Sequence, residues 1–334
     1  MVLTVGTDCA GVHSALVALQ VLGVPYRLVF SSEMDKTARA VGDRWCGPPE
    51  QLSLDMRTWD VDALPSVDLY VCGFVCVAFS AMGRRGGLQD VAKGGDLFHY
   101  VLRYVSRRRP GRFVLENVQG LTTHDGGRTF AWMLEQLRAA GGGCYHVSHK
   151  VLNARDYGVP HNRPRVFLVG VRRDLAPAPF EFPPPLPAVP LASILQPSAE
   201  IGDAEVAEAQ PTEADRRNAI AQAALVRAKG QGNMFAETYV VNVHASKQRM
   251  FPRKGSAPCL LTQGRYYVTN LCGRSSDDLG GRLLTRRELL RLQGFPDTVD
   301  LDDVSLRQAT RLMGNTICCK VLQAILRALL PVAP

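Results

Sequence analysis

Short apolar runs alternate with longer, helix-like stretches through the first half of the chain. Val2-Leu3-Thr4-Val5 predicts a strand, Gly6 to Gly11 a turn, and Ser14 to Leu22 a helix. Tyr26–Phe30 and Val67–Val71 predict further strands, and Phe113–Leu115 and Arg165–Gly170 complete the series. Continuous apolar runs of this kind suit strands covered on both faces, and their alternation with helices predicts an α/β fold with a doubly wound, mostly parallel sheet.

The alternation stops near Arg172. Eight of the chain's 21 prolines lie between Leu175 and Pro197, including Pro183-Pro184-Pro185, which predicts a stiff extended linker. Beyond it, Thr212 with Asp215 three residues later reads as a capping box, and Gly230 as a helix stop. Short strands and turns are expected from about 235 to 275. Helix returns after Thr285-Arg-Arg-Glu288, a second start signal, and an apolar-periodic run extends from Ile317 to Leu330.

At 334 residues and 46% apolar content the chain has ample material for a core, which excludes general disorder. No stretch approaches the ~18 consecutive apolar residues of a membrane span. The opening residues lack the basic region of a signal peptide, so a soluble intracellular protein is expected. Nine cysteines, an odd number with no C-x-x-C, suit a reducing compartment. Cys144, His146 and His149 lack a second close ligand pair, and no metal is expected. Between Val241 and Arg291 ten Lys or Arg face three acids, so this segment carries +7 of the net +8. Interleaved with Tyr266 and Tyr267, it reads either as a phosphate-tracking surface or as a solvated basic face.

Three elements carry candidate chemistry. The first strand leads into Cys9-Ala10-Gly11-Val12, a turn where open α/β sheets bind nucleotide-like ligands. Glu33 follows 22 residues after Gly11, at the end of the second strand, where an acid can accept bonds from ribose hydroxyls. Without a full G-x-G-x-x-G the loop suits a ribose–adenine ligand better than a pyrophosphate. Cys76 sits after the Val67–Val71 strand, before the Gly/Arg run from Gly83. It reads as a nucleophile whose thiolate is favoured by nearby positive charge, or as an inert buried thiol. Phe113-Val-Leu-Glu116-Asn117-Val118 is an apolar strand ending in an acid that is costly to bury idle.

In this order, these elements resemble the cytosine-C5 DNA methyltransferase family. The resemblance continues through His161-Asn-Arg163-Pro-Arg165, similar to the family's Q-x-R-x-R. It resumes at Arg282-Leu-Leu-Thr285-Arg-Arg287-Glu288 and Arg291-Leu-Gln-Gly-Phe-Pro296, and ends at Gly314-Asn315. It implies a Rossmann-like S-adenosylmethionine-dependent fold. Residues 1–172 and 305–334 would form the catalytic, cofactor-binding domain, and 173–304 a smaller target-recognition domain. Cys76 would add to cytosine C6, Glu116 would bond the base edge near N3, and Arg163 and Arg165 would hold the O2 side. Cys9, Ala10, Gly11, Val12, Glu33, Met34, Asp55, Met56, Gly73 and Asn315 would hold S-adenosylmethionine. Duplex DNA would be the substrate, with the target base flipped out and a lid over Gly83 to Gly95 closing on it, and the protein would act as a monomer.

Departures from the family pattern keep other readings open. The usual P-C-Q is here Val75-Cys76-Val77, and F-x-G-x-G-G appears as Cys9-Ala-Gly11-Val-His13-Ser14. A catalytically weakened or silent DNA- and cofactor-binding homologue, or an RNA methyltransferase of the same family, are the alternatives. A nicotinamide-dependent oxidoreductase is disfavoured by the missing glycine fingerprint.

Overall fold

The computed structural model describes residues 2–74, 94–246, 252–269 and 279–330. Packing divides the chain into two compact units. The first comprises residues 1–152, 164–184 and 321–334, and the second 153–163 and 185–320.

The first unit is built on a seven-stranded sheet. In chain order its strands are β1 (Leu3–Asp8), β2 (Tyr26–Ser32), β3 (Gln51–Ser53), β4 (Leu69–Cys72), β5 (Arg112–Val118), β6 (Tyr145–Asn153) and β7 (Pro164–Arg172). Their spatial order is β3-β2-β1-β4-β5-β7-β6. The pairings from β3 to β5 are parallel, as the continuous apolar runs of β1, β2, β4 and β5 lead one to expect, whereas β7 is antiparallel to β5. The reversal puts the first residues of β7 beside the last of β5, Val118 opposite Arg165 and Glu116 opposite Phe167.

The helices of this unit follow from the same patterning. In α1 (Ser14–Val21) the first six residues are all buried, while α2 (Lys36–Cys46) starts on Asp35, whose carboxylate accepts from the Thr37 and Ala38 amides. The amphipathic α3 (Leu97–Arg108) packs on α4 (Arg128–Gly143), with the Phe98 and Trp132 rings edge-on. Aromatic side chains fill the centre. Tyr70 lies against Phe30 and Tyr104, and Phe30 meets Trp59. The last helix, α9, spans Cys319–Leu329 and enters this unit from Val321 onward.

The second unit holds a three-stranded antiparallel sheet of β8 (Val240–Asn242), β9 (Tyr266–Val268) and β10 (Arg282–Leu283), with β9 central. Its helices are α5 (Asp203–Glu208), α6 (Glu213–Ala228), α7 (Arg286–Leu292) and α8 (Leu306–Asn315). Both expected capping boxes form, Thr212 with Asp215 on α6 and Thr285 with Glu288 on α7, and Gly230 has φ +62° just past the end of α6. The proline-rich stretch is extended, interrupted by short 3-10 turns at Leu191–Ile194 and Ser198–Glu200. The stretch Leu306–Leu329 is apolar and long enough to cross a membrane, but it is two helices broken at Thr316–Cys318, and 61% of its most apolar window is buried.

Candidate active site

Because β1, β2, β4 and β5 run parallel, their carboxyl ends share one edge of the sheet. The loop Cys9-Ala10-Gly11 leaves β1 there, Glu33 leaves β2, Gly73 leaves β4, and Glu116 closes β5. Cys9 and Gly11 take positive φ, 49° and 56°, so the loop turns sharply, and nothing lies within 4 Å of where a Gly11 side chain would project. The Glu33 carboxylate spans this space. Oε2 accepts from the Gly11 amide at 2.8 Å and Oε1 from the Asp35 amide at 2.8 Å. Each oxygen keeps a lone pair for a further donor, so a vicinal diol fits there.

The neighbouring candidates are arranged unequally. Val12 and Met56 are buried, Ala10, Gly11 and Gly73 are half-buried, and Met34 is 67% exposed beside Glu33, a free apolar surface of the kind an adenine covers. Cys9 Sγ lies 3.8 Å from Met56 Sδ. Asp55 is engaged by its own neighbour: the Arg57 amide and Nε bond Oδ1, and Nε and Nη2 bond Oδ2. These bonds from Arg57 hold the Asp55 carboxyl below its ordinary range, so it stays ionised. An open space, an acid with spare acceptor capacity and an exposed thioether fit an adenosyl ligand lacking a pyrophosphate.

One strand pair away, Glu116 Oε1 stands 3.1 Å from Arg165 Nε, both nearly buried. The antiparallel course of β7 makes this meeting possible. Asn117, fully buried, donates from Nδ2 to the Phe74 carbonyl at 2.9 Å. It thereby fixes the backbone two residues before Cys76. In this Glu-Asn-Val the motif itself points to the glutamate, while the asparagine's role depends on a carbonyl 43 residues away. Cys76, with Val75, Val77 and nearly all of the expected lid, lies outside the described residues.

In the second unit Arg163 has a different occupation from Arg165. Its guanidinium donates to the carbonyls of Leu260 (3.0 Å), Gly314 (3.0 Å) and Thr316 (2.8 Å), clamping two segments together. The family resemblance implies that Arg163, like Arg165, holds the cytosine O2 side. Here its guanidinium meets the main chain on either side of Asn315 together with Leu260 and the Cys259 sulfur. Gln293 serves the same turn, donating to the Met313 and Thr316 carbonyls, a role the sequence motif did not reveal. At Gly314 a side chain would lie 2.6 Å from the Leu261 and Thr262 backbone, so only glycine permits the approach. Asn315 is exposed at the end of α8. His161 substitutes for glutamine competently. Its Nε2 accepts from the Leu260 amide at 3.0 Å, which leaves Nδ1–H to donate to the Leu292 carbonyl at 3.0 Å.

The basic stretch Val241–Arg291 is less free than its sequence suggests. Arg265 pairs with Asp215, Lys254 with Glu237, Arg282 with Glu288, Arg286 with Glu205 and Glu208, and Arg291 with Asp297. Most of these acids lie outside the stretch, so a local charge count overstates what faces solvent. Internal pairing is a third reading that neither sequence alternative contained.

Comparison with known proteins bears on this arrangement. A model of the C-5 cytosine-specific DNA methylase family matches residues 8–330. The chain is 34% identical over 297 residues to the type II methyltransferase M.NgoBI of Neisseria gonorrhoeae, covering 89% of this chain and 84% of that protein. It is 33% identical over 317 residues to the type II methyltransferase M.NlaX of Neisseria lactamica, covering 90% and 87%. Among solved structures, the Dnmt2 methyltransferase of S. pombe superposes with a TM-score of 0.64 at 16% identity, covering 98% of this chain and 99% of that one, a likeness of fold.

Proposed function

Because this chain belongs to the C-5 cytosine-specific DNA methylase family, it is a DNA cytosine-C5 methyltransferase, and we propose how its residues divide the work. The observation that carries the assignment is the Glu116–Arg165 pair at the same strand edge as the Glu33–Gly11 loop. Cytosine C5 is a poor nucleophile. The Cys76 thiolate adds to C6 of a flipped base, which shifts electron density to C5. Glu116 bonds the N3 side and stabilises the charge that develops there, and Arg165 holds Glu116 in place from the adjacent strand. After methyl transfer, loss of the C5 proton and departure of the Cys76 sulfur restore the ring.

S-adenosylmethionine, when bound, supplies a methyl group made transferable by its sulfonium. Glu33 would receive its ribose hydroxyls, Cys9 to Val12 would line the loop beneath, and Met34, Met56, Gly73 and Asp55 would bound the adenosyl side. Asn315 is the remaining cofactor contact that the family resemblance implies. Arg163 contributes by holding the turn that bears Asn315. We assign residues 173–304 to target recognition and expect a monomer acting on duplex DNA, wherever the cell keeps it. The P-C-Q departure supports a second reading, a homologue that binds without turning over.

One experiment tests both readings. Duplex DNA is incubated with the protein and labelled S-adenosylmethionine, and any 5-methylcytosine is mapped at base resolution. Methylation at a defined sequence is the expected result. Absence of methylation, together with no covalent adduct on a duplex bearing 5-fluorocytosine at candidate targets, would favour the silent homologue.

A further inference from the structure

Asp8, the last residue of β1, is fully buried and unused by the chemistry above. It has three donors around it. Ser32 Oγ and Trp59 Nε1 (3.0 Å) bond Oδ1, and Tyr70 OH (2.7 Å) bonds Oδ2. Each donor belongs to a different segment. Ser32 precedes Glu33, Trp59 follows the Asp55–Met56 turn by three residues, and Tyr70 precedes Gly73 by the same interval. Asp8 itself precedes Cys9. One carboxyl, carried by the first of these segments, therefore touches the other three that line the proposed cofactor site.

We propose that Asp8 is the positioning residue of the cofactor site, setting the relative placement of the Cys9–Gly11 loop, Glu33, the Asp55–Met56 turn and Gly73. The proposal rests on the cofactor reading given above. A carboxyl at this depth is expensive, and burial raises its pKa while the bonds from Ser32, Trp59 and Tyr70 oppose that rise. An apolar side chain here would fill space but leave two hydroxyls and an indole N–H unpaired among Phe30, Tyr70 and Tyr104. Those donors would seek other partners, and the segments they belong to would shift. The geometry also identifies a tolerable replacement. An asparagine can accept from Ser32 and Trp59 at its oxygen, and the Tyr70 hydroxyl can rotate to accept from its amide.

The test measures binding of S-adenosylhomocysteine by calorimetry and by tryptophan emission, for which Trp59 is a built-in reporter. Asp8→Ala should raise Kd by about 30-fold or more, the loss expected when buried donors are orphaned. Asp8→Asn should stay within about threefold, and Trp59→Phe or Tyr70→Phe should fall between, each removing one bond. Steady-state kinetics should show the cofactor KM rising with kcat at saturation nearly unchanged. Val105→Ala, a buried change on α3, is the control for destabilisation alone. If Asp8→Ala does not fold, Trp59→Phe combined with Tyr70→Phe carries the same comparison. Variants that bind no worse than the control, with the unaltered protein binding well, would overturn the proposal alone. Failure of the unaltered protein to bind would overturn the cofactor reading as well.

Discussion

Glu288 offers the cleanest quantitative test of how the second unit is held. It is fully buried, and both oxygens are used twice. Arg282 donates from Nη1 to Oε2 and from Nη2 to Oε1, each at 2.7 Å; the Thr285 amide bonds Oε2 and the Gln196 amide bonds Oε1, each at 2.9 Å. In Glu288→Gln one oxygen keeps its two bonds, while the new NH₂ faces two donors. Losing two charge-assisted bonds and stranding Arg282, itself nearly buried, should cost about 3–5 kcal/mol. With an unfolding entropy of about 2.1 cal/mol/K per residue, cooperative melting of all 334 residues converts a loss of about 4 kcal/mol into a fall of roughly 6 °C. If the second unit, fewer than half the residues, melts by itself, the same loss gives roughly twice that shift. Calorimetry and circular dichroism with the purified variant distinguish the two. A fall below about 2 °C with an unchanged denaturant m-value would refute the argument, because it would mean that Arg282 and the two amides find equal partners without the carboxylate.

Other expectations follow from the same geometry. Cys76→Ala should abolish methyl transfer and leave S-adenosylhomocysteine affinity intact; ordinary turnover would remove Cys76 as nucleophile. Glu116→Gln should lose about 10²-fold or more in kcat while still binding duplex DNA, as measured by methyl incorporation and gel shift. Burial lowers the His13 pKa to about 4, so between pH 6.5 and 4 the unfolded chain takes up a proton that the native chain refuses. Stability should therefore fall as pH drops through that window, by up to roughly 3 kcal/mol, and His13→Phe should flatten the slope in urea unfolding at pH 7 and 4.5. Arg265→Ala should lower the melting temperature without changing the salt dependence of DNA binding, whereas Arg253→Ala, at an exposed position, should reduce the log–log salt slope by about 0.9.

Strands β1, β2, β4 and β5 were legible because they are largely buried, and burial of that kind writes itself as continuous apolar runs; β3, parallel to β2 but mostly exposed, carries no such run. β6 was not legible, since its burial runs in blocks, three half-buried residues and then three exposed ones between Tyr145 and Leu152, with no period-two alternation. The antiparallel course of β7 left no local trace: Arg165-Val-Phe-Leu-Val reads alike in either direction, and only pairing with β5 decides it. Capping boxes were readable at Thr212 and Thr285 because they are closed within four residues. Asp8, Asn117 and Gln293 were not, because each owes its role to partners 20 or more residues away. The ion pairs of the basic segment were hidden for the same reason, their acids lying largely outside the segment. His13 shows the reverse case. Its ring fills space beside Gly42, where a Cβ would lie 2.5 Å from it, so the loss of a family glycine at 13 is absorbed by a glycine on α2.

The first unit is written in three pieces of sequence, and its last piece begins only at Val321. On a ribosome adding about 5–20 residues per second, all seven strands have been made once Arg172 emerges, yet the apolar stripe Val321, Leu322, Ile325, Leu326 and Leu329 follows roughly 7–30 s later. During that interval the nascent sheet must wait for its final helix while the whole of the second unit from Pro185 onward is synthesised and begins to fold. Completion of the first unit thus waits for the segment that begins at Val321, so a product terminated before it would lack that apolar stripe however much of the strand sequence it retained.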